Sequence, residues 1–475
     1  MLVANVTGGT FRDPAGSLFD FEGSILRLVK PSEVGRFEDM LRSDVLARLV
    51  DRGSVVGTRR LEAGDIPDRL RHLSGTWFKH DRVPFVSVPA EWSAAMLAEA
   101  ALHTIAVNLE LVRHGYILKD ATPANVLFNG TEPVIVDVPS IEPLIPGRDV
   151  WVARHQFETT FLLPLMARIE AGLPIQWTLS DPVAGLAHEQ CAQLLGVSRW
   201  WGMDRIRHVA LPAALTARTV SGRAPASVPA NPPGATALRR TQYVLERSLR
   251  ALHHTVTRYA DRIDRRQSHW SEYEGTRDHY SAQDLTDKRV FVAKAIDAVS
   301  PDWVLDIGAN TGEFSEYAAS RSAVVALDVD EVSVSSIYRR ARRQGHAIHP
   351  LVMDLVRPTP ASGWKNSESK SFLQRAQGRF DLTLMLAVAH HLRVSGGVPL
   401  EEIIDLGCSM GQKGLIFEFV PVDDPMFSAI ARGRESIYSD YSLDKCVALL
   451  EHRGRIAMRS DLANGRTMFL LSTCS

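Results

Sequence analysis

The sequence predicts a chain of two unlike halves, an α+β domain followed by an open, doubly wound α/β domain. Three observations carry this expectation. A proline- and glycine-rich stretch separates two ordinary globular compositions, a short apolar run at 304–307 ends in a glycine-bearing turn, and two apolar runs flank an Asn464-Gly465 turn near the end. The length of 475 residues is too great for one hydrophobic core, and two domains is the economical division at about 100–200 residues each. Hydrophobic residues at 45% and charged residues at 23% exclude a disordered, collagenous or membrane-embedded chain.

Charge and cysteine usage narrow the partners. The 54 Lys plus Arg and 55 Asp plus Glu leave a net charge of −1, so no global field draws the chain to nucleic acid or anionic lipid. Neither nucleic acid nor a membrane is expected as a partner. No run of 18 apolar residues occurs, and the opening residues lack the basic and apolar regions of a signal peptide, so a cytoplasmic location is expected. Cys191, Cys408, Cys446 and Cys474 are far apart, with no Cys-x-x-Cys, and read as reduced structural thiols.

In chain order, the first strong element is a helix from Glu91 to about His114. Trp92, Met96, Leu97, Ala100, Ala101, Ile105 and Leu109 follow helical spacing, and Gly115 marks the stop. After it come Lys119-Asp120-Ala-Thr-Pro123-Ala-Asn125, a turn, and the strand Val134-Ile-Val-Asp137. Phosphoryl transfer to a hydroxyl uses such a trio. Asp120 would stand near the acceptor, while Asn125 and Asp137 would hold magnesium with ATP phosphates completing its shell. Asp13-Pro-Ala-Gly16 to Arg27 reads as a reduced β-hairpin over a nucleotide.

The composition shift from Ala217 to Ala237 is that of a linker, so the expected boundaries are a domain at 1–216, a linker at 217–237 and a second domain at 238–475. The second domain is expected to open with a helix. Leu245, Leu249, Leu252, Val256, Tyr259 and Ile263 draw one apolar stripe, and eight arginines between Arg239 and Arg266 cover the other face. A solvated face and an acidic-partner surface are both compatible with those arginines.

The turn at Asp306-Ile-Gly308-Ala-Asn310-Thr-Gly312 places a ligand at the carboxyl end of the first strand of a doubly wound sheet. A second apolar run, Ala323-Val-Val-Ala-Leu, ends at Asp328, where an acid can hold the two hydroxyls of a ribose. The loop selects between cofactors. A nicotinamide dinucleotide needs Gly-x-Gly-x-x-Gly to seat a pyrophosphate on the next helix, whereas a carboxylate before the first glycine repels a diphosphate and suits a cationic amino group.

On these residues, 270–471 resembles the class I S-adenosylmethionine-dependent methyltransferases. The resemblance implies a Rossmann-like seven-stranded sheet with antiparallel sixth and seventh strands, a cofactor site at Asp306, Gly308, Asn310, Gly312 and Asp328, and an adenine contact at Asp354. Trp270, Tyr273, Tyr280, Asp284 and Lys288 resemble the aromatic segment that folds over the cofactor in several such enzymes. The fourth motif resembles Phe380-Asp381 through His390-His391-Leu, without the Pro-Pro-aromatic of nucleobase amino-methylating enzymes. His390 or His391 would act as proton acceptor at the fourth strand's carboxyl end. Glu418, closing the fifth strand, is open to acceptor binding or to a structural salt bridge.

The first half, over about 83–142, resembles the catalytic loop and metal-binding aspartate of protein kinases and aminoglycoside phosphotransferases. Lys119 and Val138-Pro139 depart from that pattern, as does the lack of a clear glycine loop. The whole chain resembles bacterial proteins that join a kinase-like region to a methyltransferase, some found in nodulation or secondary-metabolite settings. The implied activity is methyl transfer to a small molecule or glycan-like metabolite, with the kinase-like half binding, presenting or phosphorylating it. A non-catalytic scaffold of two nucleotide folds is the alternative, and the oligomeric state is left open.

Overall fold

The computed structural model describes residue 13 and residues 16–216, 235–263 and 282–473. The chain falls into two compact units, Met1–Arg265 with Ala361–Ser369, and Arg266–Pro360 with Lys370–Ser475.

The first unit begins with a four-stranded antiparallel sheet of β1 (Gly16–Phe21), β2 (Ser24–Val29), β3 (Thr58–Arg60) and β4 (Thr76–His80), in the order β1-β2-β4-β3. β1 and β2 form a hairpin whose two turn residues, Glu22 and Gly23, both have positive φ, the geometry whose twist matches the flanking strands. Helices Pro31–Leu41 and Asp44–Asp51 lie between β2 and β3 in the chain. Phe19, Phe21, Leu26 and Trp77 pack together as one core.

The remainder of this unit is built on the helix Ala94–Arg113, capped by the Ser93 hydroxyl, which accepts from Met96 N at 3.4 Å. It is long and apolar enough to cross a membrane by composition, but it is buried on most of its surface as a core helix. Two short antiparallel pairs follow it, β5 (Tyr116–Leu118) with β8 (Ile141–Pro143), and β6 (Val126–Asn129) with β7 (Glu132–Ile135).

The structure corrects one boundary. The helix Ala235–Ile263 belongs to the first unit and does not open the second, so 238 is not a domain start. Its stripe of Leu245, Leu249, Leu252, Val256 and Tyr259 is buried as expected, and the helix packs on Ala94–Arg113. Polar contacts fix the docking: Thr241 Oγ1 donates to Asp149 at 2.7 Å, Gln242 Nε2 to Val112 O at 2.9 Å, and Arg262 meets Glu170 at 2.6 Å. Several of the arginines on the other face pair with acids of the same unit, Arg258 with Asp204 and Arg250 with Glu246, as a solvated face does. Linker residues 217–234, Arg265, Arg266 and Cys474 lie outside the described residues.

The second unit is a seven-stranded sheet of β9 (Trp303–Ile307), β10 (Ala323–Asp328), β11 (Ile348–Val352), β12 (Phe380–Met385), β13 (Gly411–Phe419), β14 (Gly454–Asp461) and β15 (Thr467–Thr473). The order is β11-β10-β9-β12-β13-β15-β14. The first five strands in that order run parallel, and β15 pairs antiparallel with both β13 and β14. Helices such as Glu313–Ala319, Glu331–Gln344 and Leu400–Met410 connect the parallel strands, and the central strands are mostly apolar because both faces are covered. After β9 the chain steps outward through β10 and β11, then returns to β12 on the other side of β9. The crevice between the carboxyl ends of β9 and β12 is therefore the topological switch point, where open α/β sheets bind ligands.

Candidate active site

The turn after β9 is shaped by close packing. Gly308 (φ +73) and Gly312 (φ +84) adopt conformations that L side chains rarely take. A Cβ on Gly308 would lie 3.1 Å from Val388, and one on Gly312 would lie 2.8 Å from Ile337. Asn310 also has positive φ, which asparagine tolerates, and its N–H donates to Asp328 Oδ2 at 2.7 Å. The Asn310 side-chain oxygen is buried and without a hydrogen-bond partner among the described residues.

Asp306 is buried, and burial pushes its carboxyl up to about 6, with the Ser315 hydroxyl at 2.6 Å and Lys288 opposing the rise and Asp328 adding to it. Asp328 is also raised by burial, against the backbone N–H groups of Asp330 (2.9 Å) and Asn310. Two carboxylates thus flank the turn, with Lys288 opposing Asp306 and the Arg340 guanidinium, paired with Glu316, bound to Thr311 O; the two carboxylates favour a cationic ligand over a diphosphate. Asp354 stands just beyond β11, where its carboxylate accepts from Val356 N at 2.9 Å and pairs with Arg357 at 3.1 Å. Its charge is engaged in its own turn. Tyr280, with Trp270 and Tyr273, lies outside the described residues.

On the other side of the switch point, β12 leads through Ala387 at positive φ into the short helix Ala389–Val394. That helix carries His390 and His391, whose ring centroids are 4.2 Å apart. Burial drives His390 well below the usual imidazole range, aided by His391, Arg466 and Lys288, and burial with Arg466 pushes His391 down to about 4. Both are neutral at physiological pH. His390 Nδ1 is buried without a hydrogen-bond partner among the described residues.

Glu418 fills the second of the two roles left open for it. It is fully buried, 2.6 Å from Lys288 Nζ and 3.5 Å from Arg466, which in turn meets Asp424 at 2.8 Å. The Glu418 carboxylate is therefore an element of a buried ion network. Arg466 and Asp424 were not singled out from sequence. The available signal was an arginine one residue past a turn, heading the otherwise apolar run Met468-Phe-Leu-Leu471.

In the first unit, Val136 N donates to Asn125 O at 3.0 Å, which brings Asn125 beside Asp137. Burial raises the Asp137 carboxyl, Asp13 and Asp120 raise it further, and Arg27 and Lys119 oppose them. Arg27, on β2, lies 3.6 Å from Asp137, pairs with Asp13, and donates to His80 Nε2 at 3.2 Å. Asp120 and Asp137 thus belong to one electrostatic cluster with Asp13, Arg27 and Lys119, and Asn125 is joined to it through the backbone beside Asp137. The cluster's carboxylate and amide oxygens are hard donors of the kind magnesium takes. Among the described residues, no three His, Cys, Asp or Glu side chains are arranged to hold a metal ion by themselves.

No family model matches the sequence. The chain is 29% identical over 450 residues to the nodulation protein NoeA of Rhizobium meliloti (strain 1021), covering 94% of this chain and 92% of that protein. Among solved structures it is similar to the N-methyltransferase NodS of Bradyrhizobium japonicum WM9, at 15% identity over 41% of this chain and 99% of that one, with a TM-score of 0.30. It is also similar to the bifunctional kinase-methyltransferase WbdD, at 18% identity over 41% and 40% of the two chains and a TM-score of 0.31. The magnesium protoporphyrin IX methyltransferase of Synechocystis PCC 6803 matches at 17% identity over 41% and 80%, with a TM-score of 0.29.

Proposed function

We propose that the second unit transfers a methyl group from S-adenosylmethionine to a small molecule or glycan-like metabolite. One observation carries the reading. The switch point between β9 and β12 joins a glycine turn flanked by two carboxylates, the buried Asp306 on β9 and the half-buried Asp328 at the end of β10, to a pair of neutral histidines across the crevice. Asp306 would attract the cationic amino group of the cofactor's methionine part, and Asp328 the ribose hydroxyls. In the displacement, the acceptor atom attacks the methyl carbon, the carbon–sulfur bond breaks, and the acceptor's proton leaves. The sulfonium leaving group is already good, so alignment supplies most of the catalysis. An imidazole held well below its usual range by burial is a weak base. His390, whose Nδ1 lacks a partner, therefore acts first as a hydrogen-bond acceptor that orients the attacking group and takes its proton late.

The test is calorimetry with S-adenosylmethionine, followed by labelled cofactor with a metabolite extract from the native host, read by mass spectrometry. Asp328→Ala is expected to weaken cofactor binding at least tenfold, from charge-assisted hydrogen bonds worth about 1.5–3 kcal/mol each. His390→Ala is expected to lower turnover with cofactor affinity nearly intact. Undiminished affinity in Asp328→Ala would sink the ribose assignment, and binding without turnover on any extract would favour the scaffold reading.

A second reading concerns the first unit, and the observation favouring it is the cluster around Asp137. Three carboxylates answered by Arg27 and Lys119 suit a divalent cation, with Asn125 and Asp137 as its protein ligands and ATP phosphates as the remainder. Without a glycine loop, weak nucleotide binding and slow or absent phosphoryl transfer are expected, so that this unit mainly presents the acceptor. Rapid magnesium-dependent ATP consumption, abolished by Asp137→Ala, would make the protein bifunctional instead.

A further inference from the structure

The first unit carries a concavity remote in sequence from the Asp120–Asp137 cluster. It is a cleft of about 250 Å³ lined by Glu189 and Gln193 of the helix His188–Leu195, by Arg199 and Trp200 of the turn that follows, and by alanine side chains that include Ala210 and Ala213. Its volume is below the roughly 300–1,000 Å³ usual for drug-sized ligands, and it suits one small ring better than a cofactor.

Its chemistry is specific. Glu189 Oε1 is buried and has no hydrogen-bond partner among the described residues, an acceptor that costs stability unless something donates to it. Arg199 sits in the same cleft yet does not meet Glu189. Its Nη1 is tied to Gly196 O at 2.6 Å, and its guanidinium lies 5.6 Å from the Trp200 ring centre, so its place is fixed before any ligand arrives. Trp200 is 48% exposed and presents an indole surface at the rim. The cleft therefore offers an acceptor lacking a donor, a fixed donor that leaves it unanswered, a free amide at Gln193, an aromatic plane and an apolar floor.

A hydroxyl group can donate to a carboxylate and accept from a guanidinium, and vicinal hydroxyls on a ring do both at once. The ring's C–H face is apolar enough to lie on an indole or on alanine methyls. We propose that this cleft binds a single pyranose unit of a saccharide, with Glu189 and Arg199 taking neighbouring hydroxyls, Gln193 a third, and Trp200 the ring edge. The site stands independently of the methyl-transfer reading, because its ligand needs no cofactor.

The experiment is saturation-transfer NMR and calorimetry on the full chain, without S-adenosylmethionine, using a panel of neutral hexoses, N-acetylhexosamines and free amino acids. The expected result is saturable binding of at least one pyranose, weakened about tenfold or more by Glu189→Gln and by Trp200→Ala, with unchanged circular dichroism. Gln193→Ala, at an exposed position, is expected to weaken binding severalfold and serves if either of the others fails to fold. Three outcomes would overturn the proposal: no saturable binding of any pyranose at tens of millimolar, binding unaffected in the folded variants, or binding of amino acids alone, whose ammonium and carboxylate would satisfy the same two groups. Loss of sugar binding in these variants with cofactor affinity intact separates this site from the crevice of the second unit.

Discussion

The crevice of the second unit and the acid cluster of the first both bury ionisable groups, and they balance them in opposite ways. In the crevice, Glu418 is answered by Lys288 and Arg466, and Arg466 by Asp424, so that network, apart from Asp306 and Asp328 at the glycine turn, closes on itself and the two histidines beside it stay neutral. In the first unit, Asp13, Asp120 and Asp137 are set against Arg27 and Lys119, with neutral His80 holding Arg27 from behind. A closed network is a finished scaffold that positions other groups. A cluster left rich in negative charge has room for a cation. The difference separates a support for chemistry from a site for binding, although both read in sequence as scattered acids and bases.

The largest effect should come from opening the closed network. Lys288→Met removes the nearer partner of a fully buried carboxylate, and losing one member of a buried pair costs about 3–5 kcal/mol. Arg466, 3.5 Å from Glu418, should hold the loss to the lower end of that range. Lys288→Met combined with Glu418→Gln should recover much of the loss, because no unanswered charge then remains. Denaturant unfolding of the wild type and the two variants checks this. A single variant as stable as wild type would mean that the network is not closed as described.

Next comes Asp306, whose effect on stability runs against its effect on binding. Its carboxyl is near 6 in the folded protein and about 3.8 when unfolded, so the folded state holds the proton more tightly. Stability from this group is full below 3.8 and is lost as pH rises through about 6, which leaves a cost of roughly 3 kcal/mol at neutral pH. Asp306→Asn removes the ionisable group and should raise the unfolding midpoint at pH 7.5 while weakening S-adenosylmethionine binding severely. In the wild type, cofactor affinity should fall as pH drops below about 6, where the carboxyl is protonated before a cation arrives. Parallel melting and calorimetry between pH 5 and 8 would decide both.

How much of this was legible in sequence depends on the distance over which the information lies. The crevice turn is local: Asp306, Gly308 and Gly312 sit within seven residues, their spacing dictates the backbone, and the apolar runs on either side fix the strands. Glu418's true partners are 130 and 48 residues away, and no local pattern names them. The helix Ala235–Ile263 shows the same limit in another form. Its stripe revealed a buried face, and burial followed, but a stripe does not say which surface covers it, and the linker composition before it pointed to the wrong side. The Trp200 cleft was invisible because its polar residues, Glu189, Gln193 and Arg199, have the spacing of any solvated helix end.

The smallest expected effect tests the first unit's half of the comparison at His80. Nε2 of this buried histidine accepts from Arg27 Nε at 3.2 Å, and Nδ1 lies 2.8 Å from Thr58 Oγ1. Burial, with Arg27 adding to it, drives the imidazole down to about 3, so it remains neutral throughout the physiological range. A histidine that must stay neutral to fold gives its full stability above the unfolded value near 6.5, and loses it progressively as pH falls from about 6.5 toward about 3. At pH 7 the effect is negligible, and at pH 5.5 it should be roughly 1.4 kcal/mol. His80→Gln keeps an acceptor for Arg27 but cannot take up the proton. The variant should melt slightly below wild type at pH 7.5, lose less of its midpoint on going to pH 5.5, and leave the crevice's response around pH 6 unchanged. If wild type and variant fell in parallel between pH 7.5 and 5.5, His80 would not be the neutral prop of Arg27, and the cluster around Asp137 would owe its geometry to its carboxylates alone.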